Sequence, residues 1–265
     1  MVGSKPLAVI TGASAGIGAV YARRLAAEGF DLVLVARRRD RLENLAADLK
    51  RNHGVEAEAL PADLTRDEGL KAVEDRIARA ENLEFMLNNA GFGTMGRFTD
   101  GPVESHDAMH RLHVLATMRL SHAALRKMKA RGKGALVNVS SVAAFICRPG
   151  NTSYYATKAW MNCFTEGIYL ELKAARSPVR AQALCPGFTV TEFHDVMGFD
   201  RTRVPSGWWM TAEDVVEASL RGLDCNQFVV VPGWRYKLLV WLLRLTPRFL
   251  THAASAIRPS AMERG

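Results

Sequence analysis

Tyr154 and Lys158 are the two side chains of this sequence best placed for acid–base chemistry. They stand four residues apart in a segment with helical character, so they share one face of a helix. An ammonium group about 4 Å away favours a phenolate by about 4 kcal/mol, which would bring the tyrosine pKa from about 10 toward about 7. Such a phenol can exchange a proton with a substrate oxygen. Tyr155 is the competing candidate, but its i+4 neighbour is Ala159.

Ser141 precedes this pair at the predicted end of a strand. Parallel sheets place ligand-binding groups at the carboxyl ends of their strands, so the Ser141 hydroxyl could hold a substrate oxygen beside the phenol. Ser140 is the rival serine, and we favour a strand-end capping role for it.

A glycine-rich turn follows the first predicted strand and opens a helix. It reads Thr11-Gly12-Ala13-Ser14-Ala15-Gly16-Ile17-Gly18. Glycines let the backbone turn tightly and approach a pyrophosphate, and the helix N-terminus supplies N–H groups to it. The turn therefore indicates a dinucleotide-binding site.

The elements that must position these residues alternate between short apolar strands and longer helical patterns. The predicted strands cover 7–11, 31–36, 55–60, 85–87, 135–139, 179–184 and 228–231. The predicted helices cover 16–29, 66–81, 103–131, 153–175 and 212–223, with one more that ends near residue 50. This alternation predicts an α/β fold, a single doubly wound parallel sheet of the Rossmann type with helices on both faces. We expect one domain over 1–265, with a variable substrate lid at 188–210 and a C-terminal appendage at 232–265.

Two further motifs complete the pattern. Asn88-Asn89-Ala90-Gly91 follows the fourth strand, and Cys185-Pro186-Gly187 follows the sixth. Together with the glycine turn, Ser141 and Tyr154-xxx-Lys158, they resemble the short-chain dehydrogenase/reductase family over about residues 6–231. The resemblance implies an oxidoreductase that transfers a hydride between a nicotinamide cofactor and a carbonyl or alcohol. It implies catalytic roles for Ser141, Tyr154 and Lys158.

The resemblance also implies which residues contact the cofactor. Lys158 would bind the nicotinamide ribose beside Tyr154, and Asp63 would contact the adenine amino group. Asp63 could equally cap a short turn, and Thr191 could equally be a helix N-cap. The implied cofactor-binding set is Gly12, Ser14, Gly16, Ile17, Gly18, Arg37, Asp63, Asn89, Gly91, Tyr154, Lys158, Gly187, Thr189 and Thr191.

The end of the second strand indicates which nicotinamide cofactor is used. An NAD enzyme usually carries an acidic side chain there, whereas this strand ends in Ala36 and continues with Arg37-Arg38-Arg39. Arg37 could fork onto a 2′-phosphate, and Ser14 could add a hydroxyl. We therefore predict NADP(H). Arg39 and Arg41 are better explained as a solvated start of the next helix.

One position departs from the family pattern. The family carries an asparagine in the long helix before the catalytic serine, and this chain has His113 there. We expect His113 to be compatible with catalysis and include it among the catalytic candidates. We also expect its imidazole to charge in mildly acid solution, because its reference pKa is about 6.5.

The predicted lid is rich in large apolar side chains: Phe188, Phe193, Met197, Phe199, Trp208, Trp209 and Met210. Phe145, Ile146 and Cys147 follow the catalytic serine. They could line a pocket for a hydrophobic ketone, either a 3-oxoacyl chain or a steroid-like carbonyl, although internal packing explains about half of them. The alternative hypothesis is a catalytically silent NADPH-binding regulator or scaffold, which only the His113 substitution favours.

The segment 234–245 has an amphipathic helical pattern that Pro247 should end. Its apolar stripe consists of Trp234, Leu238, Trp241 and Leu245. It could cover the active-site mouth, join a dimer or contact a membrane interface peripherally, and we favour packing against protein. The resemblance implies a homodimer or homotetramer.

Composition excludes several classes. The 265 residues are 48% hydrophobic and 23% charged, as in ordinary globular proteins, and no apolar run approaches the about 18 residues of a membrane-spanning helix. The net charge of +8 is spread along the chain without a nucleic-acid-binding motif. The four cysteines form no CxxC pair, so we expect no metal site. Without a signal-peptide pattern, a cytoplasmic location is expected.

Overall fold

The core of the fold is a single sheet of parallel strands. A computed structural model describes residues 5–247 of the chain. The strands are β1 (Leu7–Thr11), β2 (Asp31–Ala36), β3 (Ala57–Pro61), β4 (Leu83–Asn88), β5 (Ala135–Val139), β6 (Arg180–Leu184) and β7 (Val229–Val230). Their order across the sheet is β3-β2-β1-β4-β5-β6-β7, and all neighbours pair in parallel. This confirms the doubly wound Rossmann-type sheet. A crevice is expected where the order reverses, between β1 and β4.

Helices connect the strands. They are α1 (Gly16–Ala27), α2 (Arg39–His53), α3 (Asp67–Ala78), α4 (Val103–His110), α5 (Thr117–Arg131), α6 (Thr152–Ala174), α7 (Glu192–Val196), α8 (Ala212–Asp224) and α9 (Trp234–Leu245). Single 3₁₀ turns lie at Val142–Phe145, Arg201–Arg203 and Ser206–Trp208.

Two apolar cores lie on opposite faces of the sheet. Along β1, Ala8 and Ile10 pack into one core with α1, α2 and α8. Leu7 and Val9 pack into the other, with α3, α5 and α6. Because successive side chains of a strand point to opposite faces, a strand buried on both sides must be apolar throughout, as β1 is.

The long helix predicted over 103–131 is helical throughout but not uniform. A π-helical turn at Arg111–Ala116 joins α4 to α5. The apolar periodicity of the sequence does not reveal this turn, and it contains His113. Of the strands, β3 starts at Ala57 rather than at residue 55, because its ladder with β2 begins with the pair Leu32–Ala57.

The C-terminal helix packs on the protein by one face only. Tyr236 and Val240 are buried among residues at the carboxyl ends of β6 and β7. The stripe seen in the sequence faces solvent instead: Trp234, Leu238, Trp241 and Leu245. Residues 248–265 of the predicted appendage lie outside the described residues. Within residues 5–247, no helix is long and apolar enough to cross a membrane. The oligomer and the peripheral membrane contact stay predictions.

Candidate active site

The first two turns of α6 bring Tyr154 and Lys158 to the carboxyl end of β5. Lys158 is buried, and its Nζ donates a hydrogen bond of 2.8 Å to the Val139 carbonyl. The same nitrogen lies 5.7 Å from the centroid of the Tyr154 ring. The i, i+4 spacing thus produces the expected neighbours, with the ammonium anchored on the strand end.

Ser141 reaches the phenol and Ser140 does not. Ser141 begins the 3₁₀ turn after β5, where its Oγ accepts from the Ala143 N–H at 3.1 Å. Its hydroxyl lies near enough to the Tyr154 phenol to lower the pKa of that group. Ser140 Oγ instead donates to the Lys158 carbonyl at 3.0 Å. This arrangement agrees with the predicted division of roles between the two serines.

The protonation of the pair differs from the sequence expectation. Burial raises the pKa of Tyr154 to about 12, and the hydrogen bond from Ser141 offsets this only in part. Burial lowers the pKa of Lys158 to about 8. The expectation that Lys158 brings the tyrosine pKa toward about 7 is therefore wrong for this structure. The loss of hydration outweighs the attraction, because the ammonium is directed at Val139 rather than at the phenol oxygen.

His113 is fully buried between the catalytic helix and the loop after β4. Its Nε2 accepts the Phe92 backbone N–H at 3.2 Å, so the proton of the neutral ring resides on Nδ1. That Nδ1–H faces Thr157 Oγ1 at 3.0 Å, and Thr157 in turn donates to the Tyr154 carbonyl. The imidazole also contacts the Tyr154 ring edge-on, with 5.9 Å between ring centroids.

The prediction that His113 becomes charged in mildly acid solution is wrong. Burial lowers the pKa of His113 well below its usual 6.5, and the charge of the nearby Lys158 lowers it further. The side chain therefore stays neutral in mildly acid solution. A chain Phe92–His113–Thr157–Tyr154 instead gives it the geometry of a positioning residue.

A buried amide network supports the site and was missed in the sequence. Asn88 Nδ2 donates to Asn138 Oδ1 at 2.8 Å and to Ser121 Oγ at 3.0 Å, and Asn138 Nδ2 donates to Thr165 Oγ1 at 2.9 Å. The network joins β4, β5, α5 and α6. Asparagines inside apolar strands were the available signal, because a buried amide needs partners.

The glycine turn has the shape that a dinucleotide requires. Gly12 and Gly16 have φ of +67° and +55°, and a Cβ on Gly18 would lie 2.4 Å from the Gly12 carbonyl oxygen. Only glycine leaves this backbone free for close approach by a pyrophosphate at the start of α1. The residues of this turn therefore fit the pyrophosphate of a dinucleotide cofactor. Ile17 packs against the adjoining core.

Asn89 and Thr11 hold the turn in place. Asn89 Nδ2 donates to the Thr11 and Gly12 carbonyls at 3.0 and 3.2 Å, and Thr11 Oγ1 accepts the N–H groups of Asn89 and Ala90. Asn89 thus shapes the cofactor cleft through the turn. Gly91, which follows, lies against His113, since a Cβ there would be 2.9 Å from its Nε2.

The basic segment after β2 meets the glycine turn through Arg38 rather than Arg37. Arg38 donates from Nε and Nη2 to Ser14 Oγ, at 3.3 and 3.0 Å. Arg37 lies near Asp63. Desolvation opposes ionisation of Asp63, but hydrogen bonds from Thr65 and the charge of Arg37 make its pKa lower than usual. Asp63 forms the short turn considered as its alternative role, with Thr65 N–H 3.0 Å from its Oδ1.

The lid starts directly after β6. Thr189 Oγ1 donates to the Gly187 carbonyl at 3.1 Å, and Thr191 caps α7 by accepting the Phe193 N–H. A Cβ on Gly187 would lie 2.1 Å from the Tyr236 ring. Tyr236, which was not predicted as a site residue, accepts the Phe188 N–H and donates to the Trp208 carbonyl. Helix α9 therefore supports the base of the lid from below.

One aromatic side chain of the lid faces the catalytic tyrosine. Phe193 lies 6.1 Å from the Tyr154 ring, between centroids. Behind it, Phe188 contacts the rings of His194, Phe199 and Trp209. The predicted apolar lid thus has two parts, a ring at the reacting group and an internal cluster. Cys147, by contrast, is exposed.

Comparisons with known proteins agree with this geometry. A family model described as short chain dehydrogenase matches residues 6–199. A short-chain dehydrogenase from Sphingobium yanoikuyae in complex with NADPH is 36% identical, with a TM-score of 0.82 over 98% of this chain and 99% of that chain. The bulky-bulky ketone specific alcohol dehydrogenase from Comamonas testosteroni is 33% identical, with a TM-score of 0.78 over 97% of each chain. A 7beta-hydroxysteroid dehydrogenase from Mediterraneibacter gnavus is 29% identical over 234 residues, 88% of each chain.

The chain belongs to the short-chain dehydrogenase family. It is an oxidoreductase that acts on CH–OH and C=O groups, and its cofactor is a nicotinamide dinucleotide.

Proposed function

We propose that the protein is an NADPH-dependent reductase of bulky hydrophobic ketones, and that it oxidises the corresponding secondary alcohols in reverse. The observation that carries this proposal is the aromatic lid packed at the catalytic tyrosine, with Phe193 against Tyr154. A steroid-like carbonyl is the favoured substrate, and a 3-oxoacyl chain is the second choice. The names of the Comamonas and Mediterraneibacter proteins, a bulky-ketone enzyme and a hydroxysteroid enzyme, support the first.

In the proposed mechanism, the chain binds the carbonyl oxygen and supplies the proton. The reduced nicotinamide, when bound, supplies the hydride. The Ser141 hydroxyl orients the carbonyl oxygen, and the Tyr154 hydroxyl donates its proton to that oxygen as negative charge develops there. A phenol with a pKa of about 12 holds its proton at neutral pH, which suits a donor. The nearby Lys158 ammonium stabilises the phenolate that is left.

The mechanism is tested by a pair of variants at adjacent tyrosines. Tyr154→Phe should abolish turnover and leave NADPH affinity largely intact, because the ring and the helix remain. Tyr155→Phe is the matched control and should keep most of the activity. The opposite result would move the proton donor by one residue and separate it from Lys158.

The preference for NADPH rests on the basic segment after β2 and on Ser14. A charge-assisted contact to a 2′-phosphate contributes about 1.5–3 kcal/mol, equivalent to a preference of about ten- to a hundredfold. Arg37→Asp and Arg38→Asp should each be assayed for the NADPH/NADH ratio of kcat/KM. An unchanged ratio in both variants would show that neither arginine selects the cofactor.

Substrate size and the alternative of a silent regulator are tested with one panel. NADPH oxidation is followed with bulky ketones, small ketones and 3-oxoacyl thioesters. We expect kcat/KM to rise with the apolar size of the substrate. Each buried methylene should add up to about 0.8 kcal/mol of binding free energy in the transition state. A falling trend would indicate a small or polar substrate, and no turnover with any ketone would favour the regulator.

A further inference from the structure

Glu192, the first residue of α7, is bound by two arginines from the segment after β2. Arg38 Nη1 donates to Glu192 Oε2 at 2.9 Å, and Arg41 Nη1 donates to Glu192 Oε1. The same Arg38 guanidinium donates to Ser14 Oγ in the glycine turn. The two arginines lower the pKa of Glu192, so its carboxylate is ionised. One guanidinium therefore connects the turn to a carboxylate of the lid.

These donors are of the kind that a 2′-phosphate requires. A guanidinium forks onto carboxylates and phosphates in the same way, with two N–H groups facing two oxygens. A phosphate monoester carries a charge of about −1.5 to −2 near neutral pH, against −1 for a carboxylate. Both anions would seek the Arg38 fork beside Ser14, and they would repel each other there.

We propose that Glu192 is a specificity-determining residue whose carboxylate competes with the 2′-phosphate of NADP(H) for Arg38 and Arg41. The proposal rests on the proposed NADPH preference and deepens it. Glu192 weakens the binding of the phosphorylated cofactor and leaves the binding of NADH unaffected. It also joins cofactor binding to the lid, because a phosphate that takes Arg38 releases the start of α7.

The surroundings fit a contact that a phosphate can displace. The side chains of Arg38, Arg41 and Glu192 are each a little over 40% exposed, and ion pairs at such exposure are weak. The lid closes directly on the turn, since a Cβ on Gly16 would lie 2.9 Å from the Thr191 side chain. The position of Thr191 thus holds Glu192 within reach of the glycine turn and Arg38.

Two other carboxylates near the basic segment, those of Glu43 and Asp63, are engaged elsewhere. Glu43 pairs with Arg39 within α2 at 3.5 Å, and Asp63 accepts hydrogen bonds from Thr65. Glu192 is therefore the carboxylate that closes on Arg38 from the lid.

The test measures binding rather than turnover. The probes are 2′,5′-ADP, which carries the 2′-phosphate, and 5′-AMP, which lacks it, each titrated calorimetrically into the purified full chain. Glu192→Gln should tighten 2′,5′-ADP binding by about three- to tenfold, the range expected for releasing two exposed ion pairs, and change 5′-AMP binding less than about twofold. NADPH and NADH should follow the same pattern.

Glu217→Gln is the matched control, because Glu217 also lies between two arginines, Arg221 and Arg24, but on α8. It should change neither affinity. Unchanged or weaker 2′,5′-ADP binding in Glu192→Gln would overturn the competition. If the wild type still binds 2′,5′-ADP more tightly than 5′-AMP, the proposed NADPH preference stands in that case. If neither the wild type nor the variant distinguishes the two probes, both proposals fail. A preference that appears only in Glu192→Gln would support the competition.

Discussion

Replacing His113 with asparagine should make the stability of the protein less dependent on pH. In the wild type, Phe92 donates to one imidazole nitrogen and the other nitrogen faces Thr157. The shorter amide of His113→Asn can replace at most part of this bridge. An unsatisfied buried polar group costs about 1–3 kcal/mol, so the variant should be less stable than the wild type by about that amount at neutral pH.

The pH dependence follows from the lowered pKa of His113. The unfolded chain takes up a proton on this imidazole below about pH 6.5, whereas the native chain does not, so protonation favours unfolding as the pH falls. This contribution to the free energy of unfolding is complete above the unfolded pKa and decreases below it. At about pH 5.5, one unit below the unfolded pKa, the wild type should have lost about 1.4 kcal/mol through this group.

The asparagine variant has no such proton to take up. Its stability deficit relative to the wild type should therefore shrink by about 1.4 kcal/mol between about pH 7.5 and about pH 5.5. Urea unfolding followed by circular dichroism at the two pH values measures both deficits. His122→Asn, at an exposed position on α5, is the control, and its difference from the wild type should stay constant. A constant deficit for His113→Asn would refute a neutral, buried imidazole.

Four further results are expected. Gly187→Ala should destabilise the protein by about 1–3 kcal/mol and raise KM for bulky ketones, because the added Cβ would meet the Tyr236 ring. Gly167→Ala in α6, where a Cβ meets nothing within 4 Å, should be neutral or stabilising by up to about 1 kcal/mol, and urea unfolding measures the stability of both glycine variants. The kcat for reduction should fall above about pH 8 as Lys158 loses its proton, and a flat profile there would contradict the lowered pKa of Lys158. Asn89→Ala should weaken cofactor binding, measured as the Kd for NADPH, because two carbonyls of the glycine turn lose their donor.

The sequence predicted the sheet because its signals are local. Short apolar strands, glycine turns and helical periodicity each lie within a few residues, so the Rossmann-type order followed from their alternation. The same locality explains the correct pairing of Tyr154 with Lys158. The π-helical turn at Arg111–Ala116 had no such signal, because one irregular turn hardly changes the apolar pattern around it.

The missed contacts join residues that are far apart in the chain. Arg38 and Glu192 are separated by 154 positions, and Tyr236 supports Phe188 from 48 positions away. No spacing rule connects such residues, so the sequence could suggest Arg37 as readily as Arg38 as the residue that contacts the 2′-phosphate of the cofactor. The competition between a lid carboxylate and a cofactor phosphate became visible only when the fold brought the two segments together.

The tyrosine pKa shows why a correct pairing can still give the wrong energy. Spacing placed an ammonium near the phenol, and Coulomb attraction alone would have made that phenol acidic. Burial opposes this attraction, because it disfavours the charged form of each group. It raises the pKa of Tyr154 and lowers the pKa of Lys158. Lys158 also directs its Nζ at the Val139 carbonyl. The pair therefore enters the reaction as a protonated phenol beside an ammonium group whose pKa is lowered. That state is ready to give a proton to a carbonyl oxygen, whereas alcohol oxidation first requires the phenol to lose it.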